Sequence, residues 1–254
     1  MDQPEAKPAQ PVRRHRLCDA AVVAALRADP PPGLNCRSEA ELEATLDAVL
    51  RAHDPALDLH VFGYGSLMWD PAMDVLGSTV ALVPGWHRRF CLRMVFGRGT
   101  PQAPGVMLAL DRGGSCHGVL YRIEACKVRE ELRLLWRREM LAGSYDARWV
   151  WAWAGGRRVR ALTFVAIRRH ERYIGGLPVD AVARLVCTGQ GRYGNCRSYF
   201  DATVQALQRL GIRDAGIERL RRAVAGADRE AGLPVPVTPG GGTRGVRKAG
   251  PPSR

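Results

Sequence analysis

Leu59-His60-Val61-Phe62-Gly63-Tyr64-Gly65-Ser66-Leu67 marks the point where the chain changes period. Upstream, the capping box Ser38-Glu39-Ala40-Glu41 opens a helix with Leu42, Leu46, Val49 and Leu50 on one face. A shorter helix, Leu17–Arg27, precedes it and ends at the breaker Asp29-Pro30-Pro31-Pro32-Gly33. From Leu59 onward, short apolar runs bounded by Gly and Pro read as strands: Leu59–Gly63, Thr79–Val83, His87–Met94, Val106–Leu110 and Gly118–Ile123. Cys126–Leu141 is helical, with Val128, Leu132, Leu135, Trp136 and Met140 at helical spacing. Strands Ala147–Trp153 and Arg158–Ile167 follow, then helices over Pro178–Val186, Asn195–Leu210 and Ala215–Ala225. Several strands precede mostly C-terminal helices without regular βαβ alternation, which predicts an α+β fold.

The 254 residues are 46% apolar and 25% charged, enough to build the core of one domain or two small ones. No apolar run reaches the roughly 18 residues a membrane helix needs. The N-terminal Met1–Arg16 has no apolar run after its bases, unlike a secretory signal. Seven cysteines (18, 36, 91, 116, 126, 187 and 196) form no C-x-x-C. They read as reduced thiols in a cytoplasm, mostly buried as small hydrophobes. Residues 1–16 and 231–254 are Pro- or Gly-rich and polar and read as disordered. Between them, 17–58 reads as a helical extension and 59–230 as the main folded domain.

The net charge is +13, but only three of the 38 bases are lysines (Lys7, Lys127, Lys248). Such a ratio points to codon usage more than to nucleic acid, and no reader motif accompanies it. Gly189-Gln190-Gly191-Arg192-Tyr193-Gly194 matches G-x-G-x-x-G, yet a helix precedes it where a dinucleotide site needs a strand. It reads as a flexible helix-to-helix connection. No His or Cys spacing suits zinc, so no metal is expected. Trp149, Trp151 and Trp153 share one face of their strand. Packing in the core or between layers is the expected role; a base-stacking platform is the alternative if the face is exposed.

Two features carry chemistry. The Gly-Tyr-Gly-Ser loop after the first strand can turn sharply and aim successive N–H groups at an anion. Glu139 borders the apolar face of its helix, where desolvation raises a carboxyl pKa toward a useful base. A boundary glutamate paired with arginine is the competing reading.

The chain resembles the ChaC family of glutathione-specific γ-glutamylcyclotransferases. The resemblance rests on Val61–Leu67, Arg88-Arg89-Phe90, Arg98-Gly99-Thr100-Pro101 with Pro104-Gly105, Gly118-Val119-Leu120-Tyr121-Arg122, Arg138-Glu139 and Tyr199-Phe200. These pieces occur in the family's order over about residues 60–222. The resemblance implies a small mixed β-barrel flanked by helices. It implies a carbon–nitrogen lyase that converts glutathione to 5-oxoproline and cysteinylglycine without a cofactor. Val61, Phe62, Gly63, Tyr64, Gly65, Ser66 and Leu67 would hold the γ-glutamyl group. Glu139 matches the catalytic glutamate, Tyr199 a tyrosine near the substrate, and Arg98 an anion contact. Two departures stand out: Phe96-Gly97 where members carry Asp-His, and looser spacing over Gly194–Ser198 before Tyr199. The alternatives are a cyclotransferase for other γ-glutamyl amino acids or amines, and a basic nucleic-acid-binding protein.

Overall fold

Five strands close into a barrel: β1 (Leu59–Gly63), β2 (Gly77–Met94), β3 (Gly105–Ile123), β4 (Tyr145–Ala154) and β5 (Arg157–Ala166). The computed structural model describes residues 20–30 and 34–230. The segments expected to be disordered, 1–16 and 231–254, lie outside the described residues, as do Cys18, the start of the first helix and Pro31-Pro32-Gly33. The strand order is β1-β3-β2-β4-β5. Neighbours run antiparallel except β1 and β5, which close the barrel in parallel at Val61 and Leu162. The expected α+β class and mixed barrel are therefore present.

Among the described residues six helices flank the barrel: α1 (Ala20–Ala28), α2 (Glu39–Leu50), α3 (Val128–Glu139), α4 (Val179–Thr188), α5 (Cys196–Arg209) and α6 (Ala215–Glu230). The capping box of α2 is formed, with Ser38 Oγ accepting from Glu41 N–H and the Glu41 carboxylate accepting from Ser38 N–H. Among the described residues two large apolar cores result, beside a small cluster of Cys91, Leu92 and Ala109. One fills the barrel and continues under α4, α5 and α6, through Phe62, Phe90, Leu108, Leu110, Phe200 and Leu220. The other joins α1, α2 and α3 to the barrel's outer wall through Val23, Leu42, Leu46, Val61, Leu132 and Trp136. Polar contacts register α2 on α3: Trp136 Nε1 donates to Thr45 Oγ1 at 3.0 Å, and Arg133 meets Glu43 at 2.6 Å. The early helices thus brace the helix that ends at Glu139.

The structure corrects four sequence readings. The four short strands between 79 and 123 are two continuous ones, β2 and β3, paired from Gly77–Arg122 to Met94–Gly105. Pro84-Gly85 was read as a break, but it sits at a register shift inside β2, where Gly85 has φ 82°. A glycine inside a strand marks a bulge as readily as an end. The tryptophan row lies on the outside of the barrel: Trp149 is half-buried against the second core as expected, but Trp151 and Trp153 are 46% and 48% exposed, while Val150 and Ala152 point into the barrel. Alternation defines two faces without saying which is inside, and small side chains suit a narrow interior. Arg158 covers Trp151 and Arg160 covers Trp149, each 4.1 Å from the ring centroid.

The Gly189–Gly194 connection is a packed hairpin, β6 (Gln190–Gly191) with β7 (Gly194–Asn195). A Cβ on Gly191 would lie 2.6 Å from Gly99 N, and one on Gly189 would lie 2.5 Å from Gly105 Cα. The glycines serve this backbone crossing. Finally, Cys91, Cys116 and Cys196 are buried, but Cys36 and Cys187 are half-buried and Cys126 is exposed. Smaller differences lie at helix ends. A 3₁₀ turn (Ala125–Lys127) precedes α3, and α6 runs five residues further than expected.

Candidate active site

Of the seven loop residues, Val61 and Phe62 belong to β1. Both side chains are fully buried, Phe62 inside the barrel and Val61 in the outer core. Their part is to anchor the loop, because β1 pairs with β3 up to Gly63 and Val119. The chain leaves the sheet at Tyr64-Gly65 and makes a 3₁₀ turn over Ser66–Met68, with Met68 N–H donating to Gly65 O at 2.9 Å. Gly65 leaves no spare room: a Cβ there would sit 3.3 Å from both Leu108 Cδ2 and Tyr199 Oη. The Tyr64 ring is itself part of the barrel core, 7% exposed.

Three side chains hold this loop. Arg88 Nε donates to Tyr64 O at 2.6 Å, while its other nitrogens reach His117 O and, at 2.6 Å, the Asp214 carboxylate. Tyr121 Oη donates to Leu67 O at 2.7 Å. Arg138 Nη2 donates to Ser66 Oγ at 2.8 Å and its Nη1 to Asp70 O at 2.6 Å. Arg88 and Arg138 are buried charges satisfied by carbonyls and carboxylates, the condition under which such charges are tolerated. Ser66 is therefore a loop hydrogen-bonder.

Glu139 closes α3 beside this loop. Its side chain is 14% exposed, and Arg138 Nε lies 3.0 Å from Glu139 Oε1. Both sequence readings of Glu139 thus meet in one residue: it is desolvated and also paired. Burial wins. It pushes the carboxyl above its ordinary value, the Asp70 charge adds to the rise, and the Arg138 guanidinium offsets only part of it. Tyr64, Tyr145 and Tyr199 gather near this charge. Burial pushes each phenol up first, and the Glu139 carboxylate raises it further. Tyr199 stands edge-on to Trp69 and Phe90, with centroids 5.6 and 6.0 Å away. Tyr145 Oη donates to Leu108 O at 2.7 Å.

Arg98 is placed differently. Its Nη1 donates to Ser198 Oγ at 2.8 Å and Asn195 O at 3.1 Å, and its guanidinium lies 5.7 Å from the Tyr199 ring centroid. It ties its loop to the start of α5 and borders the site through Tyr199. Tyr145 was missed by the sequence reading, and no local signal marked it. Arg88, Tyr121 and Arg138 stood within the shared motifs but carried no assigned role. A separate cavity of about 480 Å³, lined by Leu50, Arg51, His53, Pro55, Val128 and Arg129, shares no residue with this site. Among the described residues no group of three His, Cys, Asp or Glu side chains could hold a metal. None of their helices is long and apolar enough to cross a membrane.

A closed mixed barrel flanked by helices is the fold of the solved γ-glutamylcyclotransferases this chain is similar to. The crystal structure of the selenomethionine-labelled glutathione-specific γ-glutamyl cyclotransferase from yeast superposes with a TM-score of 0.61, covering 66% of this chain and 95% of that one at 20% identity. Within that fold, the chain belongs to the ChaC-like protein family, whose model matches residues 59–227. The glutathione-specific γ-glutamylcyclotransferase of Escherichia coli is 39% identical over 178 residues, 70% of this chain and 77% of the relative. The mouse glutathione-specific γ-glutamylcyclotransferase 1 is 30% identical over 207 residues, 79% of this chain and 90% of the relative.

Proposed function

We propose that this chain degrades glutathione to 5-oxoproline and cysteinylglycine, with residues 59–230 as the catalytic unit. The observation that carries the reading is Glu139: a desolvated carboxyl beside a loop clamped by Arg88, Tyr121 and Arg138. The names of the Escherichia coli and mouse relatives supply the substrate.

The reaction is an internal aminolysis. The substrate α-amine, mostly protonated near neutral pH, first gives a proton to Glu139. Its lone pair then attacks the γ-carbonyl carbon, and the new N–C bond closes a five-membered ring. The amide bond to cysteine breaks as Glu139 returns that proton to the departing cysteinyl nitrogen, and the ring nitrogen then passes its second proton through Glu139 to the same amine, so the lactam leaves as N–H and cysteinylglycine as an ammonium. No water enters and no electron is transferred. A carboxyl raised by burial suits both halves of this exchange. N–H groups of the Gly63–Leu67 loop steady the charge developing on the γ-carbonyl oxygen. Holding the glutamyl chain folded supplies proximity. Tyr199 and Tyr145 line the Glu139 side of the site, and Arg98 acts at its edge. The free cysteines fit a reducing compartment, and we place the activity in the cytoplasm.

The test is incubation of the purified chain with reduced glutathione, following 5-oxoproline and cysteinylglycine by mass spectrometry. Equal amounts of the two products support the reading. Absence of both, with turnover of γ-glutamyl amino acids or amines in the same assay, transfers the activity to those substrates.

A further inference from the structure

Three arginines are buried among the described residues: Arg88, Arg138 and Arg172. Arg88 meets Asp214, and Arg138 meets Asp70 and Glu139. Among the described residues no carboxylate pairs with Arg172, although it is only 6% exposed. Its Nε donates to Arg93 O at 2.8 Å, its Nη2 faces Met94 Sδ at 2.6 Å, and its guanidinium lies 5.3 Å from the Phe96 ring centroid. Its Nη1 is buried with no hydrogen-bond partner. A guanidinium withdrawn from water without an anion is costly, and one unsatisfied N–H adds to that cost. A planar cation with an open N–H is the form that receives a carboxylate.

The position of Arg172 connects it to the site. It lies between β5 and α4, and Arg93 N–H donates to Arg172 O at 2.7 Å, so the segment is pinned on the end of β2. The loop leaving that strand end carries Phe96 over Arg172 and, two residues on, Arg98 beside Tyr199. Tyr145 lies between the two charges electrostatically, feeling both Glu139 and Arg172. Two extended residues beyond the γ-carbonyl carry the far carboxylate of a tripeptide about 7 Å away.

We propose that Arg172 Nη1 receives the C-terminal carboxylate of a γ-glutamyl tripeptide and so sets selectivity against substrates that lack it. This inference rests on the proposed cyclotransferase activity. It gives the buried charge its missing partner, and it assigns recognition of the leaving dipeptide to a residue outside the shared motifs.

The experiment compares glutathione with its C-terminal carboxamide on wild type, Arg172→Met and Arg172→Lys, reading kcat and KM from 5-oxoproline release. The wild type is expected to lose about ten- to a hundred-fold in kcat/KM on the carboxamide, mostly through KM, as for one charge-assisted hydrogen bond. Arg172→Met should lower glutathione to the carboxamide's level with no further loss on the carboxamide, and Arg172→Lys should restore part of the difference. Equal turnover of both substrates by wild type overturns the proposal, and decides the matter even if Arg172→Met does not fold. An equal loss on both substrates in Arg172→Met also overturns it, because that is the mark of a purely structural role. Absence of 5-oxoproline from either substrate with wild type refutes the cyclotransferase reading itself, a result distinct from a flat selectivity ratio.

Discussion

Glu139→Gln separates the proton-transfer role of this side chain from its structural one. The amide keeps the shape, and its oxygen can still accept from Arg138 Nε, now 3.0 Å away. Arg138 retains Asp70 O at 2.6 Å, Ser66 Oγ at 2.8 Å and the Asp70 carboxylate at 3.5 Å, so no charge is stranded. The fold should persist, with KM changed by no more than about threefold. What disappears is the base, which contributes about 10²- to 10⁴-fold in rate. At about 1.4 kcal/mol per decade this is about 3–5 kcal/mol of barrier. The wild-type kcat/KM should rise with pH through the raised Glu139 pKa, and the variant should lack that limb.

Stability should show the opposite trend. The folded carboxyl titrates above its ordinary 4.5, so the folded state holds the proton more tightly than the unfolded chain. The wild-type contribution is full below that ordinary value and is lost as pH rises through the raised one. Glutamine removes this loss, so the variant's melting temperature should gain on wild type as pH increases across the window. Turnover by 5-oxoproline release and thermal melts from about pH 4 to about pH 8 measure both consequences. A variant that keeps more than about 5% of kcat, far above the expected residue of a lost base, together with the wild-type pH limb, refutes the assignment.

Tyr199→Phe preserves the edge contacts with Trp69 and Phe90 and should fold normally. Loss of one hydroxyl hydrogen bond to substrate should lower kcat/KM about tenfold, and an unchanged value would remove Tyr199 from the site. Leu46→Ala empties a position 1% exposed between α2 and the second core. It should cost about 2–5 kcal/mol and lower Tm by about 5–20 °C in a chain of this size, read by calorimetry. Asp111 is buried, which pushes its carboxyl up, but bonds from Arg168, Tyr173 and the Arg112 N–H hold it below the ordinary value. Its stabilisation is present above that ordinary value and is lost as pH falls through the lowered one. Asp111→Asn should cost about 1–3 kcal/mol at neutral pH and flatten acid unfolding monitored by circular dichroism.

The barrel was legible because its strands show a period distinct from the helices, and β1 and the α2 capping box were read to the residue. What local pattern does not encode is continuity and sidedness. Pro84-Gly85 and Gly113-Gly114 look like ends, yet cross-strand pairing carries β2 and β3 past them. The tryptophans of β4 alternate correctly, but only the barrel's radius decides that Val150 and Ala152 go inside. At the site, Glu139 and the loop were visible because their residue types announce chemistry. Arg88, Tyr121, Tyr145 and Arg172 were not, because their partners lie 24 to 126 residues away. The Tyr64 ring belongs to the barrel core, a placement that residue type alone does not announce.

The crossing of Gly99 and Gly105 with Gly189 and Gly191 sets a dimension of the molecule. The atoms that exclude a Cβ at Gly191 are main-chain atoms of the opposite segment, Gly97 O with Gly99 N and O, and at Gly189 the nearest is Gly105 Cα. Substituting neighbouring side chains therefore offers little relief. The joint works like a tongue in a groove, with a gauge equal to the thickness of a bare polypeptide. That gauge fixes how far the Arg98 loop stands from the first turn of α5, and hence how Arg98 lies over Tyr199. Side-chain drift elsewhere can retune the charge and polarity of this wall while leaving its spacing unchanged. Altering the spacing requires inserting or deleting backbone on one side of the joint.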